Sequence, residues 1–108
     1  MTLEIAETMI TVLKNIYGIE LQIKYPNDIV YNNKKIGGIL SETRLNNTKV
    51  KYIVIGIGIN TNQMVFNENI KDIASSIKKE FGINVDSKKI IAEFCNEYEE
   101  KIIKRIGK

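Results

Sequence analysis

Three short segments of this chain gather side chains that can do chemistry, and each also has an ordinary structural reading. The first is Lys24-Tyr25-Pro26-Asn27-Asp28, an ammonium, an amide and a carboxylate packed around the one proline. Proline holds φ at about −65° and has no N–H, so the amide and the carboxylate leave the turn in defined directions. The ordinary reading is an Asx-type turn whose side chains bond their own backbone. The second begins seven positions after Asp28, at Lys35-Ile36-Gly37-Gly38-Ile39-Leu40. A lysine beside exposed backbone N–H groups suits a phosphate or carboxylate, and paired glycines leave room for a ligand against the backbone. The alternative is a solvated turn lysine and a glycine bulge, with Glu42 an ordinary cross-strand partner. The third is Gly56-Ile57-Gly58-Ile59-Asn60. It has no third glycine, no helix directly behind it and no acidic residue closing a second strand, so it is not a dinucleotide fingerprint. No Gly-Lys-Ser/Thr occurs either, which excludes a P-loop. What remains is a glycine-lined strand ending in an amide that offers a donor and an acceptor to a flat heterocycle.

Composition narrows the chemistry further. The 108 residues contain no histidine, one cysteine and no tryptophan. Histidine acid–base catalysis, Ser-His and Cys-His nucleophile pairs within the chain and the usual zinc sites are therefore excluded. A lone Cys95 forms no internal disulfide, and no secretory signal pattern opens the chain, so a reducing, cytoplasmic setting is expected. The longest near-apolar run, residues 52–59, is too short to span a membrane. Net charge is only +3, and Arg44 and Arg105 are the only guanidinium forks among scattered lysines. That pattern lacks the basic stripe that nucleic acid requires.

The elements that must position these segments follow from periodicity. Leu3, Ala6, Met9, Ile10, Leu13 and Ile16 or Tyr17 recur at helical spacing, with Thr2 as N-cap and Gly18 as stop. From Leu21 the period becomes two, and Pro26-Asn27-Asp28 breaks it as a turn. Ile29-Val30-Tyr31 and residues 35–43 form a hairpin across Asn32-Asn33-Lys34. After an Asn46-Asn47-Thr48 turn, Ile53, Ile55, Ile57 and Ile59 alternate with Tyr52, Val54, Gly56 and Gly58, a strand with two small residues on one face. Ile70, Ile73, Ala74, Ile77 and Phe81 predict a helix ending at Gly82, and Asp86 or Ser87 opens a last helix. Its expected inner stripe is Ile91, Phe94, Cys95, Tyr98, Ile102 and Arg105. One helix, about three mainly antiparallel strands and two helices make an α+β domain, with helices over one sheet face and the other face bare.

Taken in order, Lys24-Tyr25-Pro26-Asn27-Asp28, Lys35-Ile36-Gly37-Gly38-Ile39-Leu40-Ser41-Glu42 and Ile55-Gly56-Ile57-Gly58-Ile59-Asn60 resemble the second half of the catalytic domain of biotin protein ligases. The family pattern is Lys-Trp-Pro-Asn-Asp, a short hairpin, Lys-x-x-Gly-Ile-Leu-x-Glu, and a strand ending Gly-x-Gly-x-Asn. Tyr25 stands where the family has Trp. The resemblance runs over nearly the whole chain. It implies a mixed, mainly antiparallel sheet in the class II synthetase and biotin-ligase-like fold. It also implies that residues 1–108 are the C-terminal part of that catalytic domain, with the Gly-Arg-Gly-Arg-x-Gly loop and a C-terminal β-barrel lying outside them.

The activity so implied is the ATP-dependent conversion of biotin to biotinyl-adenylate, followed by transfer to a lysine of a biotin carboxyl carrier domain. By the resemblance Lys35 lies between the biotin carboxylate and the α-phosphate, and Asp28 serves the acceptor lysine. Lys24 and Asn27 lie near the phosphates, Gly38, Ile39, Gly56 and Gly58 pass close to biotin and adenylate, and Asn60 reaches adenine. Biotin and ATP are the ligands, Mg²⁺ arrives on the ATP phosphates, and no metal ligand is expected in the chain itself. Pairing with a second copy or with a complementary N-terminal fragment is expected of a bare sheet. Two other readings remain: a non-catalytic adenylate-binding or partner-assembling fragment, and a lipoate-ligase-like acyl transferase.

Overall fold

The computed structural model describes residues 2–47 and 49–106, and the side chains of 3–42, 45, 47 and 55–101. Helix α1 (Thr2–Tyr17) leads into four strands, β1 (Gln22–Lys24), β2 (Asp28–Tyr31), β3 (Lys34–Asn46) and β4 (Lys49–Ile59). They pair antiparallel in the order β1-β2-β3-β4. Helices α2 (Ile77–Phe81) and α3 (Ser87–Ile106) follow, completing the α+β architecture expected from periodicity. Among the described residues no helix is long and apolar enough to cross a membrane.

Local chemistry explains the turns. Asn32 and Asn33 have φ of 50° and 64°, the paired positive values that a two-residue type I′ hairpin demands and that asparagine tolerates. Gly18 and Gly82, both at φ 71°, stop α1 and α2, and their N–H groups return to the carbonyls of Lys14 and Lys78. The Lys88 N–H bonds Asp86 Oδ1, so Asp86 opens α3. Thr48 in the second turn and the side chains of Thr2, Ile53, Ile102 and Arg105 lie outside the described residues.

Cross-strand register sorts the sheet into two faces, because paired residues share a side. Ile23, Ile29, Gly37 and Ile59 form one row, and Ile39 with Ile57 the next. These isoleucines belong to a core with Ile5, Ala6, Met9 and Leu13 of α1 and Ile90 of α3. Burying each of Ile29, Ile36 and Ile39, all at most 1% exposed, stabilises by roughly 1.5–3 kcal/mol. Two inner stripes differ from expectation. On α1, Ile5 and Val12 are buried while Leu3 is exposed, and on α3 the inward residues are Ile90, Phe94 and Tyr98 rather than Ile91 and Cys95. Ile90-Ile91 and Phe94-Cys95 are adjacent apolar pairs, and only packing on α1 decides which member turns inward.

The expected helix over 70–81 is also shorter, starting at Ile77. Residues 73–75 instead lie alongside the start of β3: Lys35 N donates to Ile73 O and Ser75 N to Lys35 O. With those backbone groups committed outside a helix, Ser76 becomes the N-cap, its Oγ accepting from Lys79 N at 3.1 Å.

At Gly37 the backbone of β3 comes close to β4. A Cβ there would stand 2.3 Å from Gly58 O and 2.7 Å from Ile59 Cδ1. Gly37→Ala is therefore expected to destabilise the fold by about 1–3 kcal/mol, seen as a lower urea midpoint at unchanged slope. A midpoint equal to that of the parent chain would show that β3 and β4 separate without penalty.

Candidate active site

The face of the sheet opposite α1 and α3 carries the residues singled out by type. Lys24 pairs with Asp28, Asp28 with Gly38 and Gly38 with Gly58, so one row crosses all four strands. The next row on this face is Leu40 beside Gly56. Lys35 and Gly38 are three positions apart, an odd number that would put them on opposite faces of a regular strand. A bulge resolves this: Ile29 pairs with Gly37 but Val30 pairs with Lys35, so Ile36 is an extra residue. Ile36 enters the core, and Lys35 remains on the open face over Gly38, where a Cβ on Gly38 would stand 3.3 Å from Lys35 Cε.

Lys35 Nζ lies 3.4 Å from Asp28 Oδ1, with side-chain exposures of 54% and 32%. An ion pair this wet contributes less than about 1 kcal/mol to stability. The pair presents an ammonium and a carboxylate side by side to solvent.

The glycines divide by purpose. Gly37 is required by close packing. At Gly56 and Gly58 a Cβ would meet nothing within 4 Å, and neither has a positive φ. Neither local strain nor packing accounts for them, and a bare strip of backbone is what a ligand lying on the sheet needs. Asn27, Asp28, Lys35, Gly38, Gly56, Gly58 and Asn60 all line one cleft of about 760 Å³, inside the roughly 300–1,000 Å³ range of small-molecule sites.

Both asparagines carry structural bonds as well. Asn27 Nδ2 donates to Ile39 O at 3.0 Å while Ile39 N donates to Asn27 O, tying the Pro26 turn to β3. Ile39 itself touches the cleft but is 1% exposed, with its side chain in the core and its backbone engaged by Asn27. Asn60 Nδ2 donates to Ser75 O at 3.1 Å, and its main chain bonds Ile36 O and Ile77 N. A primary amide retains a second N–H and an acceptor oxygen beyond such a bond. Lys24 shares the face and pairs with Asp28 without lining the cleft.

Residue types alone did not reveal the apolar wall. Leu40 is 75% exposed on the open face, and Ile70, Ile73 and Ala74 close the cleft from the other side. Their helical spacing assigns them to a core stripe, whereas Ile73 is 62% exposed. A second, smaller hollow of about 290 Å³ lies on the helix side between Met9, Ile59, Ile90 and Phe94. Among the described residues that line it, Thr61 and Ser87 are the polar ones and none is charged.

One sheet face is covered by helices, and the other carries a glycine strip beside a lysine–aspartate pair, open to a cleft of small-molecule size. The sequence pattern that defines the biotin/lipoate A/B protein ligase family matches residues 1–60. The chain belongs to that family, whose members related to it here are enzymes. The bifunctional ligase/repressor BirA of Bacillus subtilis is 36% identical over 103 residues, covering 94% of this chain and 32% of the relative. This chain thus spans about a third of that protein. The biotin protein ligase of Aquifex aeolicus in complex with biotin and ATP superposes with a TM-score of 0.80 at 32% identity, over 97% of this chain and 44% of that one. LipL1 of P. falciparum in complex with lipoate has a TM-score of 0.67 at 19% identity over 97% of this chain and 32% of its own, a likeness of fold alone.

Proposed function

We propose that this chain forms the nucleotide and acyl-binding half of a biotin protein ligase catalytic domain, which makes biotinyl-adenylate from biotin and ATP and passes biotin to a lysine of a carrier domain. The observation that carries this reading is the open-face row: Lys35 is paired with Asp28, lies over Gly38 and continues into the bare strip of Gly58 and Gly56. The ligands seen with the Aquifex enzyme support biotin over lipoate, as does its identity of 32% against 19% for LipL1.

The first step brings two anions together, as a biotin carboxylate oxygen attacks the α-phosphorus and pyrophosphate leaves. An ammonium within reach of both groups lowers their repulsion and stabilises the developing charge, which is the role of Lys35. Mg²⁺ belongs to the ATP phosphates. Among the described residues no group of three or more Asp, Glu, Cys or His side chains is placed to cage a metal, and Asp28 is the carboxylate at hand. In the second step the acceptor amine attacks the anhydride carbonyl and AMP leaves. Asp28, 32% exposed beside Lys35, orients that amine and accepts its proton. Lys24 and Asn27 lie toward the phosphates and Asn60 toward adenine.

Calorimetry with biotin, ATP and biotinyl-adenylate in turn tests this reading. The adenylate, which spans both halves of the cleft, is expected to bind more tightly than either reactant. Equal or absent binding of all three would refute it. Turnover by the 108-residue chain alone is expected to be far below that of an intact ligase, because an open cleft leaves the anhydride to water. Asn60→Ala is expected to weaken the adenylate by about 1–3 kcal/mol and biotin less, the difference expected when a polar partner is left unpaired. Equal adenylate affinity before and after the change would reduce Asn60 to closing the end of β4.

A further inference from the structure

Ser75 is fully buried, and its peptide stands between two residues assigned to the cleft. Its N–H donates to Lys35 O at 3.0 Å, and its carbonyl accepts Asn60 Nδ2 at 3.1 Å. Lys35 N is held by Ile73 O on one side, and Asn60 O by Ile77 N on the other. The segment 73–77 therefore clasps the start of β3 to the end of β4. Besides these bonds, Ser76 Oγ donates to Gln63 O, and the Ser75 side chain makes a bond of its own, Ser75 Oγ donating to Glu80 Oε2 at 2.5 Å. A buried hydroxyl bonded to a carboxylate is stronger and more directional than a bond between neutral groups. Ser75 is not needed for the cap of α2, which Ser76 supplies.

The geometry points to Ser75, held by Glu80, as a positioning residue that sets the Asn60 amide for the nucleotide relative to Lys35. The inference rests on the proposed adenylate site, and Glu80 acts on the cleft through Ser75, whose N–H bonds Lys35 O and whose carbonyl accepts the Asn60 amide. Glu80 is partly exposed, so changing it leaves the core intact, whereas Ser75→Ala empties a buried polar site.

The test is a double-mutant cycle in the full chain, with biotinyl-adenylate as the probe in calorimetry. Glu80→Ala is expected to weaken biotinyl-adenylate about tenfold and biotin less than twofold. Glu80→Gln, which keeps an acceptor for the hydroxyl, should bind the adenylate as the parent chain does. In an Asn60→Ala background, Glu80→Ala should have no further effect on the adenylate. A general loosening of the fold would lower both affinities and do so equally in both backgrounds, and that result, or no loss at all, would overturn the proposal. If the parent chain binds no biotinyl-adenylate, the ligase reading fails, and the clasp is judged on the free chain by amide hydrogen exchange. Glu80→Ala should then speed exchange at the Lys35 and Ile77 N–H groups at least tenfold while leaving α1 unchanged. Equal exchange in both proteins would overturn the clasp itself.

Discussion

Lys35→Ala, introduced into an intact catalytic unit bearing these residues, is expected to slow biotinyl-adenylate formation by about a hundredfold or more. That is the scale of losing one preorganised electrostatic contact at a developing charge. The fold should survive, because the side chain is 54% exposed and its ion pair with Asp28 stabilises by less than about 1 kcal/mol. Lys35→Arg keeps the charge on a broad planar fork, and Gly38 leaves space for a narrow stem only: Lys35 Cε lies 3.3 Å from where a Gly38 Cβ would stand. Partial rescue is therefore expected. Asp28→Asn should separate the two half-reactions, with transfer to the acceptor lysine suffering more than pyrophosphate release. Single-turnover measurement of each step distinguishes them, and equal, small effects of both substitutions would return the pair to a solvated turn contact.

Gly58→Val is the second large effect. The new side chain would project into the cleft, where nothing of the protein stands within 4 Å of its Cβ. Valine is at home in a strand, so thermal stability should hold or rise slightly. Affinity for biotinyl-adenylate should fall at least a hundredfold, because the proposed site lays the ligand against the backbone that the isopropyl group covers. This is the reverse of Gly37→Ala, where stability falls through a clash with Gly58 O. The two substitutions, on paired strands and opposite faces, separate a glycine kept for packing from one kept for a ligand. Loss of stability without loss of binding in Gly58→Val would place Gly58 with Gly37.

Much of this was legible in the residues because the signals are local. Asn32-Asn33 announces a turn because asparagine accepts positive φ, and Gly18 and Gly82 announce helix ends for the same reason. The isoleucine–glycine alternation of 55–59 separates a core face from a bare one because strand period is two. What was hidden depends on distant partners. Ile70, Ile73, Ala74 and Ile77 have helical spacing, but the backbone of 73–75 is taken by Lys35, some 40 positions earlier, and no periodicity carries that information. The bulge at Ile36 is similarly silent, although it decides whether Lys35 shares a face with Gly38. Asn27 and Asn60 were legible as polar groups near the site. Their bonds to Ile39 O and Ser75 O became visible only once β3 and β4 were side by side.

In the proposed ligase the bare face of the sheet, not the helix-covered one, takes the acyl-adenylate. Titrating biotinyl-adenylate into the nitrogen-15-labelled chain and following backbone amide shifts tests it most directly. The largest shifts are expected at Gly38, Leu40, Gly56, Gly58 and Asn60, with the amides of Met9, Ile90 and Phe94 around the smaller hollow hardly moved. Shifts confined to that hollow, or none on the open face at saturating ligand, would contradict it.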